Sequence, residues 1–268
     1  MYMLLLILLG VIVLFTTFMT KPKKRIHHRL VSLGLLLVVV GGSGVYESYQ
    51  GNTSTGDNPR QSVKTTTDSS TDLSKLNYQS DQEIEVNNNK PTFTSSDLNI
   101  NNGAWQSFTN LDNLNRAVRA DALLNKGLMP TAKREPLYVN PTGWHNKKLK
   151  SGWLYNRSHL IGYQLSGQNN NPKNLMTGTR SLNSPEMLKH ENDIAYYLKQ
   201  DPNNYIRYRV QPIYRGNELV ARGVQMMAES MDSQGSADGQ VSFNVYIFNI
   251  ESGVTINYSD GTSVVNNN

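Results

Sequence analysis

Cysteine is absent from this 268-residue chain. Any folded part must therefore hold through its core without disulfides, and thiol nucleophiles and thiolate metal ligands are excluded. A zinc site of metalloprotease type is unsupported as well, because His190-Glu191 lacks the second histidine of that motif. Acidic excess is also missing: 26 Lys and Arg against 21 Asp and Glu give a formal charge of +5, with a pI near 9.2. That balance favours an anionic partner, nucleic acid or membrane lipid, over a cationic one. Large apolar side chains are scarce over residues 47–102, where Ser, Thr, Asn, Asp and Gly dominate. Stretches such as Thr65 to Thr71 cannot bury enough surface to offset the entropy of ordering. Residues 47–102 read as a flexible tether.

Long hydrophobic runs occur only at the start. Met1 to Met19 is almost wholly apolar, Lys21 to Arg29 is strongly basic, and Leu30 to Val45 is apolar again. The first run is about long enough to span a bilayer, and the basic loop between the runs should stay cytoplasmic. Residues 1–46 are thus expected to form a transmembrane hairpin, with the remainder outside the cell. A cleaved signal peptide ending near Gly44 is the alternative and exports the same remainder.

Residues 103–268 carry the signals of a globular domain. Leu111, Leu114 and Val118 have near-helical spacing and predict a short helix over 111–124. Asn140-Pro-Thr-Gly-Trp144 is turn chemistry leading into a strand, and Trp153 to Tyr155 reads as the next one. Gln168 to Asn174, with Pro172 and four Asn, must be a loop. Ser184 followed by Pro185 predicts a helix start, and Met187, Ile194, Tyr197 and Leu198 support a helix over 185–199. Alternating runs at 204–214 and 218–228, joined by Gly216-Asn217, predict a hairpin. Val241 to Ile250 reads as a central strand and Val254 to Tyr258 as an edge strand. The expected fold class is α+β, an antiparallel sheet with packed helices.

The chemistry concentrates between Tyr155 and Asn192. His159 follows a strand-like run, and an imidazole there can take a proton from water near neutral pH. Asn183 and Glu191, if on one helix, lie about 80° apart around its axis and roughly 12 Å along it. Both could face one site without both gripping one ion. An amide oxygen bound directly and a carboxylate acting through water suit Mg²⁺, a hard ion that keeps several waters. Taken singly, Asn183 reads as a helix-cap residue and Glu191 as a solvated helix face. Lys133, Arg134 and Arg180 are candidate phosphate contacts.

Three strings, Tyr155-Asn-Arg-Ser-His-Leu-Ile-Gly-Tyr-Gln164, Asn171-Pro-Lys-Asn174 and Thr177-Gly-Thr-Arg-Ser-Leu-Asn183, resemble the DNA/RNA non-specific endonucleases. Nucleases of DNA uptake and secreted DNases are the nearest group. The likeness covers roughly residues 105–258. It implies a ββα-metal site in which His159 is the general base, Asn183 binds Mg²⁺ (which Mn²⁺ can replace) and Glu191 orients metal-bound water. It implies further that Asn174 supports the site and that Arg157 braces the loop or a phosphate. The implied activity is phosphodiester hydrolysis without sequence specificity, on DNA, with RNA left open. A catalytically weak DNA-binding module on the same fold is the alternative, and DNA-uptake machinery is a candidate partner. Asn156 and Ser158 depart from the family's usual Asp-Arg-Gly-His.

Overall fold

The computed structural model of the chain describes residues 65–68 and 71–266. These belong to one unit, Val63–Asn268. The two apolar runs, and the membrane hairpin expected from them, lie outside the described residues. Among the described residues no helix is long and apolar enough to cross a membrane.

A seven-stranded sheet organises the unit. Its strands are β1 (Thr66–Thr67), β2 (Glu83–Val86), β3 (Trp105–Phe108), β4 (Ala120–Leu124), β9 (Tyr205–Ile213), β10 (Gly223–Met231) and β11 (Ala237–Phe248). Their spatial order is β1-β2-β11-β10-β9-β4-β3. The β1–β2 pair is parallel and the others antiparallel, so the sheet is mixed at one edge. Side chains alternate between faces along a strand. Ile206, Tyr208 and Val210, Val224, Met226 and Ala228, and Val241, Phe243, Val245 and Ile247 therefore build one core. Onto that face pack the short helix α1 (Tyr163–Ser166) and the long helix α2 (Leu188–Gln200) through Leu165, Ile194, Ala195 and Leu198.

The second face is covered by residues that the composition assigns to a tether. Leu73, Ile84 and Val86 form a smaller core with Tyr246 and Phe248. Further along, Phe93 and Trp105 sandwich the buried Arg207 guanidinium at 4.8 and 5.0 Å, while Arg207 Nη2 meets Asp121 at 2.5 Å. Glu83 of β2 reaches α2, with His190 at 2.7 Å and Lys189 at 2.9 Å. The 71–102 part of the expected tether thus belongs to the fold. Its few apolar residues Leu73, Ile84 and Val86 sit at the positions that meet the sheet, and the polar Glu83 and Asn89 add contacts to α2 and β11.

Two further expectations change. Residues 111–124 contain strand β4 and no helix. Asp112 accepts the backbone N–H groups of Leu114 and Arg116, Asn115 takes a left-handed φ of 59°, and the chain turns there. Val254 to Tyr258 does not add an edge to the main sheet: β12 (Val254–Ile256) pairs with β13 (Ser263–Val265) as a separate ribbon. The hairpin strands are displaced because residues 218–222 form a turn closed by the Arg222–Glu218 ion pair. Leu219 and Val220 N–H both donate to Tyr258 O there.

Beside the core lies a two-stranded ribbon, β7 (Tyr155–His159) against β8 (Leu175–Thr179). A smaller ribbon, β5 (Lys148–Leu149) against β6 (Gly152–Trp153), precedes it. In chain order β7, β8 and α2 give a strand–strand–helix unit. Burying each of Leu73, Ile84 and Val86 is worth about 1.5–3 kcal/mol. A chain beginning after residue 100 should therefore melt well below one beginning at Val63 and bind a hydrophobic dye. Circular-dichroism melting of the two chains checks this; equal midpoints would show the cover to be dispensable.

Candidate active site

His159 ends β7, buried with only 6% of its surface exposed. Its Nε2 lies 2.8 Å from Asn169 O. A carbonyl can only accept, so Nε2 carries the proton, and in the neutral ring Nδ1 is left as the basic atom. Burial holds the imidazole pKa below its ordinary value; the Asn169 carbonyl opposes that shift and the Arg134 charge adds to it.

Asparagine side chains fix the ribbon on which His159 sits. Buried Asn174 receives Ile161 N–H on Oδ1 at 2.9 Å and donates Nδ2 to Ile161 O at 3.0 Å. Its own carbonyl accepts Leu160 N–H. Asn146 treats Tyr155 the same way, at 2.9 and 3.0 Å. Asn249 accepts Thr179 N–H and donates to Thr177 O and Ala221 O. Asn169 and Asn170 donate to the carbonyls of Glu135 and Pro136, so the asparagine-rich loop is stapled to the Arg134 segment.

Glu191 lies in the first turn of α2, also buried. Its Oε1 accepts Gly162 N–H at 2.8 Å, joining the helix to the chain three residues past His159. A Cβ on Gly162 would stand 2.3 Å from Glu191 Oε2, so any larger residue would push the carboxylate from this position. Burial pushes the Glu191 carboxyl up to about 7, against the lowering influence of Gly162 N–H, Gln164 and Arg134.

His159, Asn183 and Glu191 line one cleft of about 770 Å³, together with Arg134, Asn156 and Arg157. Asn183 lies in an irregular turn, Leu182–Met187, which breaks at Ser184 with extended φ −153° and ψ 121°. Regular helix begins at Leu188. Asn183 and Glu191 are therefore not on one helix, and the separation expected from helical geometry does not apply. The cleft still brings them together. The Asn183 side chain has no hydrogen-bond partner among the described residues, so its amide is free to bind.

The basic candidates divide. Arg134 lines the cleft and Arg157 does too, the latter held by Asn140 Oδ1 at 3.1 and 2.6 Å and stacked 4.6 Å from the Trp144 ring centroid. Lys133 is exposed and lies outside the cleft lining. Arg180 is also outside it, with Nη1 donating to Ser151 O; it holds the β5–β6 turn.

Among the described residues no three His, Asp or Glu gather as a metal cluster. The available donors are oxygens, the free Asn183 amide and the buried Glu191 carboxylate. A hard cation that keeps most of its water needs few protein oxygens, and a carboxylate raised to about 7 is one whose charged form a nearby cation would favour. The residues fit Mg²⁺. Sequence reasoning passed over Asn146, Asn169, Gly162 and Asn249. Gly162 adjoins the His159 motif and could have been noticed; Asn146 and Asn169 act nine and ten residues away, and Asn249 28 to 72 residues away, with no periodic signal to mark them.

The family model of the DNA/RNA non-specific endonucleases matches residues 98–232. A "Deoxyribonuclease" from Streptococcus dysgalactiae subsp. equisimilis is 33% identical over 112 residues, which are 40% of this chain and 32% of that protein. The chain thus spans about a third of that relative's length. Among solved structures, NucA from Streptococcus agalactiae with magnesium bound superposes with a TM-score of 0.59 at 28% identity, covering 68% of this chain and 86% of that one. The Sda1 nuclease with bound zinc gives a TM-score of 0.53 at 25% identity, over 60% and 80% of the two chains. With the match spanning β3 to β10 and including the whole cleft, the chain belongs to the DNA/RNA non-specific endonuclease family.

Proposed function

We propose that this protein is a Mg²⁺-dependent endonuclease hydrolysing DNA without sequence preference, with RNA a second candidate substrate and Mn²⁺ a substitute ion. The observation that carries the reading is the His159 ring, its Nε2 committed to Asn169 O and its surface lining the same cleft as Asn183 and Glu191.

A phosphodiester repels nucleophiles by its own charge, so hydrolysis needs an activated water and positive charge at the phosphate. His159 Nδ1 is the group that takes the proton from the attacking water. Protonation makes the ring a cation, and the Asn169 carbonyl then holds Nε2–H while the charge develops. Asn174 positions this base by fixing the backbone two residues beyond it. Arg134 and Arg157 line the approach and offer guanidinium groups to phosphate oxygens. Asn183 would hold Mg²⁺ directly and Glu191 through water, and the ion would supply Lewis-acid neutralisation of phosphate charge. Contacts to phosphates carry no base information, which suits cleavage without sequence preference.

For the location, the Met1 to Val45 sequence supports an external nuclease held to the membrane by its N-terminal residues, where uptake machinery could be a partner. Protease added to intact cells should remove the nuclease domain and leave the N-terminus with the membrane fraction. Recovery of protected, soluble protein would reject this placement.

His159→Ala should lower cleavage about 10²–10⁴-fold, and EDTA should abolish it, with Mg²⁺ or Mn²⁺ restoring it. Plasmid nicking by full-length protein in detergent is the assay. DNA binding without cleavage by the unmutated protein would instead favour a binding module, with Asn156 in place of a carboxylate as its cause.

The working form of His159 is neutral. Because burial lowers its pKa from 6.5, kcat/KM at saturating Mg²⁺, where the cation would keep Glu191 ionised, should rise with pH through a value below 6.5. Arg134→Ala removes a nearby positive charge, so His159 binds its proton more readily and this acid limb should move to higher pH. A limb that stays in place would mean that another group titrates.

A further inference from the structure

Three tryptophans occur in the chain, and two have their ring faces occupied. Trp105 stacks on Arg207 and Trp144 on Arg157. Trp153 has no ring or cation stacked on it among the described residues. It is 56% exposed, and it lines the cleft that contains His159.

Its setting is rigid. Trp153 lies on the β5–β6 ribbon, directly opposite Lys148. Arg180 Nη1 donates to Ser151 O at the turn. The next residue, Leu154, is fully buried and donates its N–H to Lys147 O at 2.9 Å. Lys147 Nζ is itself held by Ser263 O. The backbone on both sides of Trp153 is thus held, while the indole itself lies 56% exposed. Lys148 and Lys150, on the same ribbon, are exposed.

We infer that the β5–β6 ribbon is a stacking platform for an unpaired nucleobase, with Trp153 taking the base and Lys148 and Lys150 the phosphates of the same strand. An exposed flat ring continuous with a nuclease cleft and flanked by cations matches the way single strands are held: bases stack on aromatics while a basic surface follows the backbone. Duplex bases already stack on one another and present no face to the indole. The platform therefore favours single-stranded or locally opened substrate over intact duplex. It tolerates any base, because each has a π-face, and it leaves cleavage without sequence preference. This deepens the nuclease reading and rests on it.

The test compares full-length protein with Trp153→Leu, which keeps an apolar side chain and loses the ring, and with Trp153→Phe, which keeps a ring. Substrates are a single-stranded oligonucleotide and a duplex containing it, at one salt concentration. Trp153→Leu should lower the ratio of single-strand to duplex kcat/KM roughly tenfold, mainly through KM, and Trp153→Phe should restore most of it. Equal losses on both substrates, or none, overturn the platform. Intrinsic fluorescence gives a second reading that does not depend on cleavage. Oligothymidylate should quench His159→Ala protein, and the quench should vanish when Trp153→Leu is added; an unchanged quench also overturns the proposal. Unmutated protein that cleaves neither substrate would reject the nuclease reading, while the fluorescence result would still judge the platform.

Discussion

The site depends on a shortage of strand neighbours. The β7–β8 ribbon has two strands only, and such a pair is marginal by itself in water. Its outer backbone groups are nevertheless buried or half-buried, where an unpaired N–H or C=O is costly. Asparagine supplies the missing neighbours. A carboxamide presents one donor and one acceptor side by side, as a strand edge does. Asn146 pairs with Tyr155, Asn174 with Ile161, and Asn249 with Thr177 and Thr179. One amide therefore stands near each end of β7 and one along β8. His159 inherits its position from them. A glutamine could reach the same atoms only with another rotatable bond to order, and an aspartate would lose the donor.

Two buried titratable groups then share one cleft with opposite tendencies. Burial disfavours charge on both, lowering His159 and raising Glu191. The base role proposed for His159 requires a neutral imidazole, and burial favours that form directly. For the carboxylate the same burial is unfavourable, and one backbone N–H is a weak remedy. Positive charge in the cleft would act on the two groups differently, stabilising the Glu191 anion while keeping His159 unprotonated. Arg134 already acts in this sense on both. A cation at Asn183 would act in the same direction.

The loop and the helix around His159 were readable from sequence because their signals are local, turn residues in the asparagine loop and an apolar period after Pro185. The strands were not, since the run read at Trp153 to Tyr155 continues to His159 and Leu175–Thr179 had no strand reading. Nor was the sheet's cover. Leu73, Ile84, Val86 and Phe93 are spaced so widely among polar residues that composition averages them away, and what orders them is a sheet formed by strands more than a hundred residues later. Leu111, Leu114 and Val118 misled in the opposite direction. Their helical spacing is real, but Asp112 captures the local N–H groups and the following residues are claimed by neighbours β3 and β9. Arg180 shows the limit for function. Its charge and its place in the motif suggest phosphate, whereas the contact it makes is to the Ser151 carbonyl, outside the cleft lining.

The two departures from the family motif differ in physical consequence. Ser158 is fully buried and its Oγ has no hydrogen-bond partner among the described residues. It fits because the residue diagonal to it is Gly178, where a Cβ would lie 2.3 Å from that hydroxyl. An unpaired buried hydroxyl costs on the order of 1–3 kcal/mol, a burden on the stability of the ribbon. The hydrogen bond of the His159 ring is to Asn169 O and does not involve Ser158. Asn156, by contrast, lines the cleft. Its amide keeps hydrogen-bonding capacity but lacks the negative charge of an aspartate in the space where, on the proposed reading, phosphate and cation would meet. Attraction for the cation would weaken, and repulsion of the phosphodiester would weaken with it. The anionic share of the site would then rest on Glu191, whose charge would depend on the cation it helped to hold, so that ion binding and ionisation of this carboxylate would be one coupled event.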